Sequence, residues 1–118
     1  MASRLYNVTV DARDPRALAE FWRLALAYEL AYDEPDEVGI EPRHGHTSPA
    51  LIFVPVSDEK VGKNRLHLDL APDDQKAEVK RLEGLGARKV DIGQGDVSWV
   101  VMADPEGNEF CVLTPRKK

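Results

Sequence analysis

A chain of 118 residues is long enough to bury one hydrophobic core and too short to promise two independent ones. Its 42% apolar and 31% charged residues are ordinary for a globular domain, and no run approaches the roughly 20 apolar residues of a membrane span. The net charge of −5 argues against a general nucleic-acid binder, and a single cysteine, Cys111, forbids an internal disulfide and leaves too few thiolates for a Cys-based zinc site.

The chain opens without an apolar targeting core, which together with the lone thiol sets the expectation of a cytoplasmic protein. Tyr6 to Asp11 alternates with period two, so Tyr6, Val8 and Val10 are expected to face a core and Asn7, Thr9 and Asp11 to face away. Asp14-Pro15 then supplies an N-cap acceptor and a proline at the first helical position, predicting a helix from about Pro15 to Leu26. Leu18, Phe21, Trp22 and Ala25 form one stripe at helical spacing, which assigns both aromatics to the core.

Three short strands follow: Glu29 to Tyr32, Glu37 to Glu41, and Ala50 to Val56. In the break before the third, His44 and His46 stand two apart, but beside Gly45 and Pro49 they read as a surface loop rather than a rigid ligand pair. Leu51-Ile52-Phe53-Val54 is apolar on both faces and reads as an inner strand. Ser57 to Asn64 is polar and reads as a connection.

Asn64 to Leu70 carries the densest chemistry. Alternation would bury Leu66, Leu68 and Leu70 and set Arg65, His67 and Asp69 together on the opposite face, about 7 Å apart along the strand. His67 to Asp74 also repeats the pattern of Asn7 to Asp14 at a displacement of 60 residues. A second helix is expected from about Asp74 to Leu85, stopped by Gly86. Strands are expected at Arg88 to Asp91, Val97 to Met102 and Phe110 to Thr114, the last two joined by the turn Asp104-Pro105-Glu106-Gly107-Asn108. Pro55 and Pro115 are again 60 apart, matching the final strands of two βαβββ modules, about residues 5–57 and 64–115 of one domain spanning 1–118.

These two modules, the Asp-Pro helix opening, His67 at the start of the second module and the Asp104 to Asn108 turn resemble the vicinal oxygen chelate superfamily, which includes glyoxalase I, extradiol dioxygenases and the bleomycin and fosfomycin resistance proteins. The style of Lys63 to Leu70 and of Ala103 to Cys111 is most similar to its glyoxalase-like domain proteins. The resemblance implies an α+β fold in which two βαβββ modules form a cupped mixed β-sheet with helices outside, and a homodimer. It also implies metal ligands at Asn7, Leu51, His67 and Cys111. Of these positions only His67 keeps a strong ligand; leucine cannot coordinate, and Glu109 stands a full pleat from Cys111. No cofactor is therefore expected, with a divalent metal left as the alternative.

The expected polar cup is lined by Asn7, Phe53, Arg65, Asp69, Trp99, Glu109 and Cys111 as substrate-binding residues, with His67 as general base. Arg65 could fork onto a carboxylate or phosphate, which favours a polar or weakly acidic small molecule. The reading is a metal-independent small-molecule binder. Its alternatives are a metal-dependent lyase, isomerase or dioxygenase of the same superfamily and a drug-sequestering resistance protein.

Overall fold

The computed structural model describes residues 2–45 and 48–116. The chain divides into two compact units, Met1–Glu59 and Lys60–Lys118, so the boundary falls inside the polar connection. The first unit runs β1 (Asn7–Ala12), α1 (Pro15–Leu26), β2 (Glu29–Glu34), β3 (Glu37–Glu41) and β4 (Ala50–Pro55). Its sheet has the order β1-β4-β3-β2, with β1 parallel to β4 and the other pairs antiparallel. The second unit repeats this plan with β5 (Asp69–Leu70), α2 (Gln75–Leu85), β6 (Arg88–Lys89), β7 (Val100–Ala103) and β8 (Glu109–Val112), in the order β5-β8-β7-β6. Two βαβββ units, each with a four-stranded mixed sheet and one helix, make this an α+β fold.

Both helices start as the sequence dictates. The carboxylates of Asp14 and Asp74 accept the backbone N–H groups of Ala17 and Ala77 at 3.1 and 3.0 Å, satisfying donors that a helix start leaves unpaired. α1 buries Leu18, Phe21 and Trp22, the last two edge to face with centroids 5.2 Å apart. Each such side chain contributes about 1.5–3 kcal/mol. α2 buries Val79 and Leu82, and Gln75 ties its first turn to the sheet by donating to the carbonyls of Ser98 and Val112. The Asp104 turn is built from inside: fully buried Asp104 accepts from the backbone N–H groups of Glu106 and Asn108 and from the Asn108 amide.

Several expectations are corrected. The strand predicted across Arg65 to Leu70 is reduced to Asp69–Leu70; Arg65 and Leu66 lie in a bend, and Leu66 is 89% exposed rather than buried. The reason is local: the Asn64 backbone N–H is held by the Glu109 carboxylate and its amide donates to Asn108, so side chains rather than a ladder carry the chain here. Tyr6 precedes the first ladder pair, Asn7 with Ala50, and is 76% exposed instead of joining the core. Leu51 and Phe53 are placed on the wrong face by the sequence reading. Val8 pairs with Leu51 and Val10 with Phe53, so these two side chains share the buried face, while Ile52 and Val54 share the face of Thr9 and Asp11. The strands around the Asp104 turn are also shorter and shifted, at Val100–Ala103 and Glu109–Val112.

Candidate functional site

The second unit brings three of the predicted residues together. Asp69 is the first residue of β5 and pairs with Cys111 of β8, whose other neighbour in the ladder is Val101 of β7. Residues paired across a ladder project to one side, so Asp69 and Cys111 share a face. His67 lies just before β5, off the regular pleat, and its ring turns back so that Nδ1 sits 3.0 Å from Asp69 Oδ1 and 3.9 Å from Cys111 Sγ. On a regular strand the two side chains would stand about 7 Å apart.

A carboxylate oxygen can only accept from the ring, so Nδ1 carries the proton and donates to Asp69. Nε2 is then the free lone pair of the imidazole, which suits a hydrogen-bond acceptor, a proton acceptor or a ligand. Burial raises the pKa of the Cys111 thiol, and the adjacent Asp69 carboxylate raises it further. Such a thiol is protonated at neutral pH and is a poor nucleophile, because the thiolate is the reactive form.

The three side chains offer a nitrogen, an oxygen and a sulfur donor within 4.8 Å of one another. Asp69, which the sequence reading places with the substrate-binding residues, thus supplies a third donor beside His67 and Cys111, and in number and kind the set fits a zinc-like ion. The Leu51 position contributes nothing: its side chain is in the core, and the residue of β4 whose side chain lies on the open face of β1, as Cys111 does for β5, is Ile52, paired with Thr9.

Other predicted residues are dispersed. Glu109 accepts from Lys60 at 3.1 Å and from the Asn64 backbone N–H at 2.9 Å. Burial alone would raise its pKa, but the Asn64 N–H and the Lys60 ammonium outweigh it, and the carboxyl titrates below the usual range. Glu109 therefore anchors the segment leading to His67. Lys60 and Asn64 were invisible as partners in a polar connecting run. Arg65 is exposed and does not pair with Asp69, whose partner is His67. Trp99 is partly exposed, immediately before β7. Asn7 belongs to the first unit, donates to Thr9 at 3.1 Å and lines a cavity there. Phe53 is 0% exposed and lines nothing open, because its parity in β4 follows Val10. His44 is exposed, and His46 lies outside the described residues.

Solved structures with the same fold span nearly the whole chain. A glyoxalase/bleomycin resistance protein/dioxygenase family enzyme from Burkholderia phytofirmans PsJN is 18% identical, covers 97% of this chain and 100% of its own, and has a TM-score of 0.70. The fosfomycin resistance protein FosX from Mesorhizobium loti is 14% identical over 98% of this chain and 94% of its own, with a TM-score of 0.70. A mutant FosX from Listeria monocytogenes, complexed with Mn(II) and dihydroxypropylphosphonic acid, is 15% identical over 98% and 93%, with a TM-score of 0.71. No curated protein matches the sequence. The family profile described as "Glyoxalase-like domain" matches residues 7–113, and the chain accordingly belongs to the glyoxalase-like domain family of the vicinal oxygen chelate superfamily.

Proposed function

We propose that this protein binds a small polar or weakly acidic molecule at the His67, Asp69 and Cys111 cluster and does so without requiring a metal. The observation that carries the reading is the 3.0 Å contact from His67 Nδ1 to Asp69, which orients the ring and presents Nε2 as the acceptor. A protonated ligand group such as a hydroxyl or an undissociated acid donates to Nε2, and proton transfer onto Nε2 makes an imidazolium that Asp69 stabilises. Cys111 is a weak neutral donor beside them rather than a nucleophile. That a mutant FosX, a fold relative, was crystallised with Mn(II) and a dihydroxypropylphosphonic acid together is in keeping with a small oxygen-rich ligand, with or without a metal beside it.

A second reading is favoured by the donor set itself: His67, Asp69 and Cys111 could together hold a divalent ion. Such an ion would supply Lewis-acid polarisation of a ligand oxygen, placing the protein with the metal-dependent lyases or isomerases. A homodimer is the assembly we infer, because β1 and β2, and β5 and β6, are the edge strands of the two sheets. Light scattering at micromolar concentration reports the mass directly.

The deciding experiment is metal analysis of protein purified without chelators, followed by thermal-shift screening of small hydroxy acids, carboxylates and phosphonates. Stoichiometric zinc, manganese or iron selects the second reading. A hit whose binding is lost in His67→Ala, with the melting temperature nearly unchanged, supports the first; hits that ignore His67→Ala overturn it.

A further inference from the structure

The first unit holds an open cavity of about 980 Å³, lined by Arg4, Tyr6, Tyr32, Glu37, Glu41 and Ile52 among others. Small-molecule sites span roughly 300–1,000 Å³, so this volume suits a compact organic ligand. None of its lining residues belongs to the His67 cluster.

The walls have a definite chemistry. The Tyr32 ring occupies the space above Gly39, where a Cβ would lie 2.6 Å from a ring atom, and the Tyr32 hydroxyl donates to the Glu37 carboxylate. The β2–β3 register sets Glu29 opposite Glu41, Tyr32 opposite Gly39, and Glu34 opposite Glu37. Partners across an antiparallel ladder share a face, so a tyrosine ring is flanked at both ends by pairs of like charge. Directly opposed like charges cost stability, and a sheet face that keeps two such pairs around an aromatic ring asks for a positive charge from outside. Among the described residues none of Glu29, Glu34, Glu37 and Glu41 forms an ion pair. Arg16 is spent on Asp33. Arg4, the basic residue among those lining the cavity, lies 5.8 Å from the Tyr6 ring centroid, where it already makes the contact that a cationic ligand would make.

We propose that this cavity is a second ligand site and that it takes a small organic cation, an ammonium group carried on an apolar body. The faces of Tyr6 and Tyr32 attract the cation through their ring quadrupoles, Glu37 and Glu41 balance its charge, and Ile52 receives the apolar part. An anion meets two carboxylates against the single cation of Arg4 and is disfavoured. Arg4 acts as an internal competitor for the Tyr6 face.

Amide-resolved NMR titration of the intact chain tests this with choline and its neutral carbon isostere, 3,3-dimethylbutan-1-ol, which match in shape and differ in charge, and with benzyltrimethylammonium. Saturable shifts at residues 32, 37, 39, 41 and 52 are expected for both cations, with the neutral isostere binding about fivefold or more weakly. Glu41→Gln should weaken the cations by a similar factor while keeping or raising the melting temperature, since it relieves the Glu29–Glu41 opposition. Arg4→Ala should tighten them, and His67→Ala should leave them unchanged. Equal affinity for the neutral isostere, indifference to Glu41→Gln, shifts confined to the His67 cluster, or no saturable shift up to about 50 mM cation would each overturn the assignment.

Discussion

The aromatic ring of Tyr32 fills the place where a side chain at position 39 would stand: a Cβ on Gly39 would meet Tyr32 Cε2 at 2.6 Å and Cζ at 2.7 Å. Cross-strand pairing makes the two residues direct neighbours, so glycine here serves close packing rather than an unusual backbone angle. Gly39→Ala should therefore destabilise by about 1–3 kcal/mol, the usual cost of overpacking. Tyr32→Leu in the same chain should recover part of the loss. A double-mutant cycle by chemical denaturation checks the pair; strictly additive effects would refute direct crowding.

Tyr32 also carries an alkaline signature. Burial, the hydrogen bond to Glu37 and the nearby carboxylates of Glu37 and Glu34 push its pKa up to about 12 from the ordinary 10.0. The folded state thus holds the proton more tightly than the unfolded chain. This contribution to stability is complete below about pH 10 and is lost as the pH rises toward 12. Denaturation midpoints measured across that window should fall less steeply in Tyr32→Phe than in the parent, and phenolate absorbance should include one late-titrating tyrosine.

Lys60 and Glu109 form a poorly exposed pair, 21% and 15% accessible, that fastens the entry to the His67 segment. Lys60→Met leaves the Glu109 carboxylate with the Asn64 N–H but without its cation, and should cost about 1–3 kcal/mol. Because the folded Glu109 pKa is depressed, its contribution is present above the ordinary carboxylate pKa and disappears as the pH falls through the lowered value. The acid-unfolding midpoint of Lys60→Met should consequently lie at higher pH, as circular dichroism would report.

Thiol chemistry gives an independent reading of the cluster. With burial and Asp69 both raising the Cys111 pKa, labelling by a disulfide reagent at neutral pH should be slow. Asp69→Asn removes the neighbouring charge, lowers that pKa and should speed labelling severalfold at fixed pH, with the rate–pH curve displaced to lower pH. An unchanged curve would mean that Asp69 does not act on the thiol.

The two helices end differently. Both C-caps adopt the left-handed conformation, but α2 uses Gly86 while α1 uses Ala27, at φ 55°. Ala27→Gly should stabilise by about 0.5–1 kcal/mol, because the Cβ penalty of that conformation exceeds the entropy glycine adds to the unfolded chain. Gly86→Ala should destabilise by about 1 kcal/mol or more, its Cβ also meeting Pro105 at 3.4 Å. Thermal melting of the two single variants gives the comparison.

The amino-acid sequence by itself determined what depends on neighbours along the chain. Asp14-Pro15 and the stripe Leu18, Phe21, Trp22, Ala25 specify α1, Glu37 to Glu41 specifies β3, and the repeat of Asn7 to Asp14 at His67 to Asp74 announces the two-unit plan. The same repeat singled out His67. Pairing decided the rest. Leu51-Ile52-Phe53-Val54 is apolar at every position, so its pattern has no phase, and only the ladder with β1 selects which two side chains are buried. His67 and Asp69 read as parallel neighbours on one strand, yet they meet at 3.0 Å: the ladder begins only at Leu68, whose carbonyl accepts the Cys111 N–H, and upstream of His67 the chain is held at Asn64 by Glu109 and Asn108. Cys111 joins them because β5 pairs with β8 across 42 residues of chain, and a contact between residues so far apart leaves no trace in local periodicity.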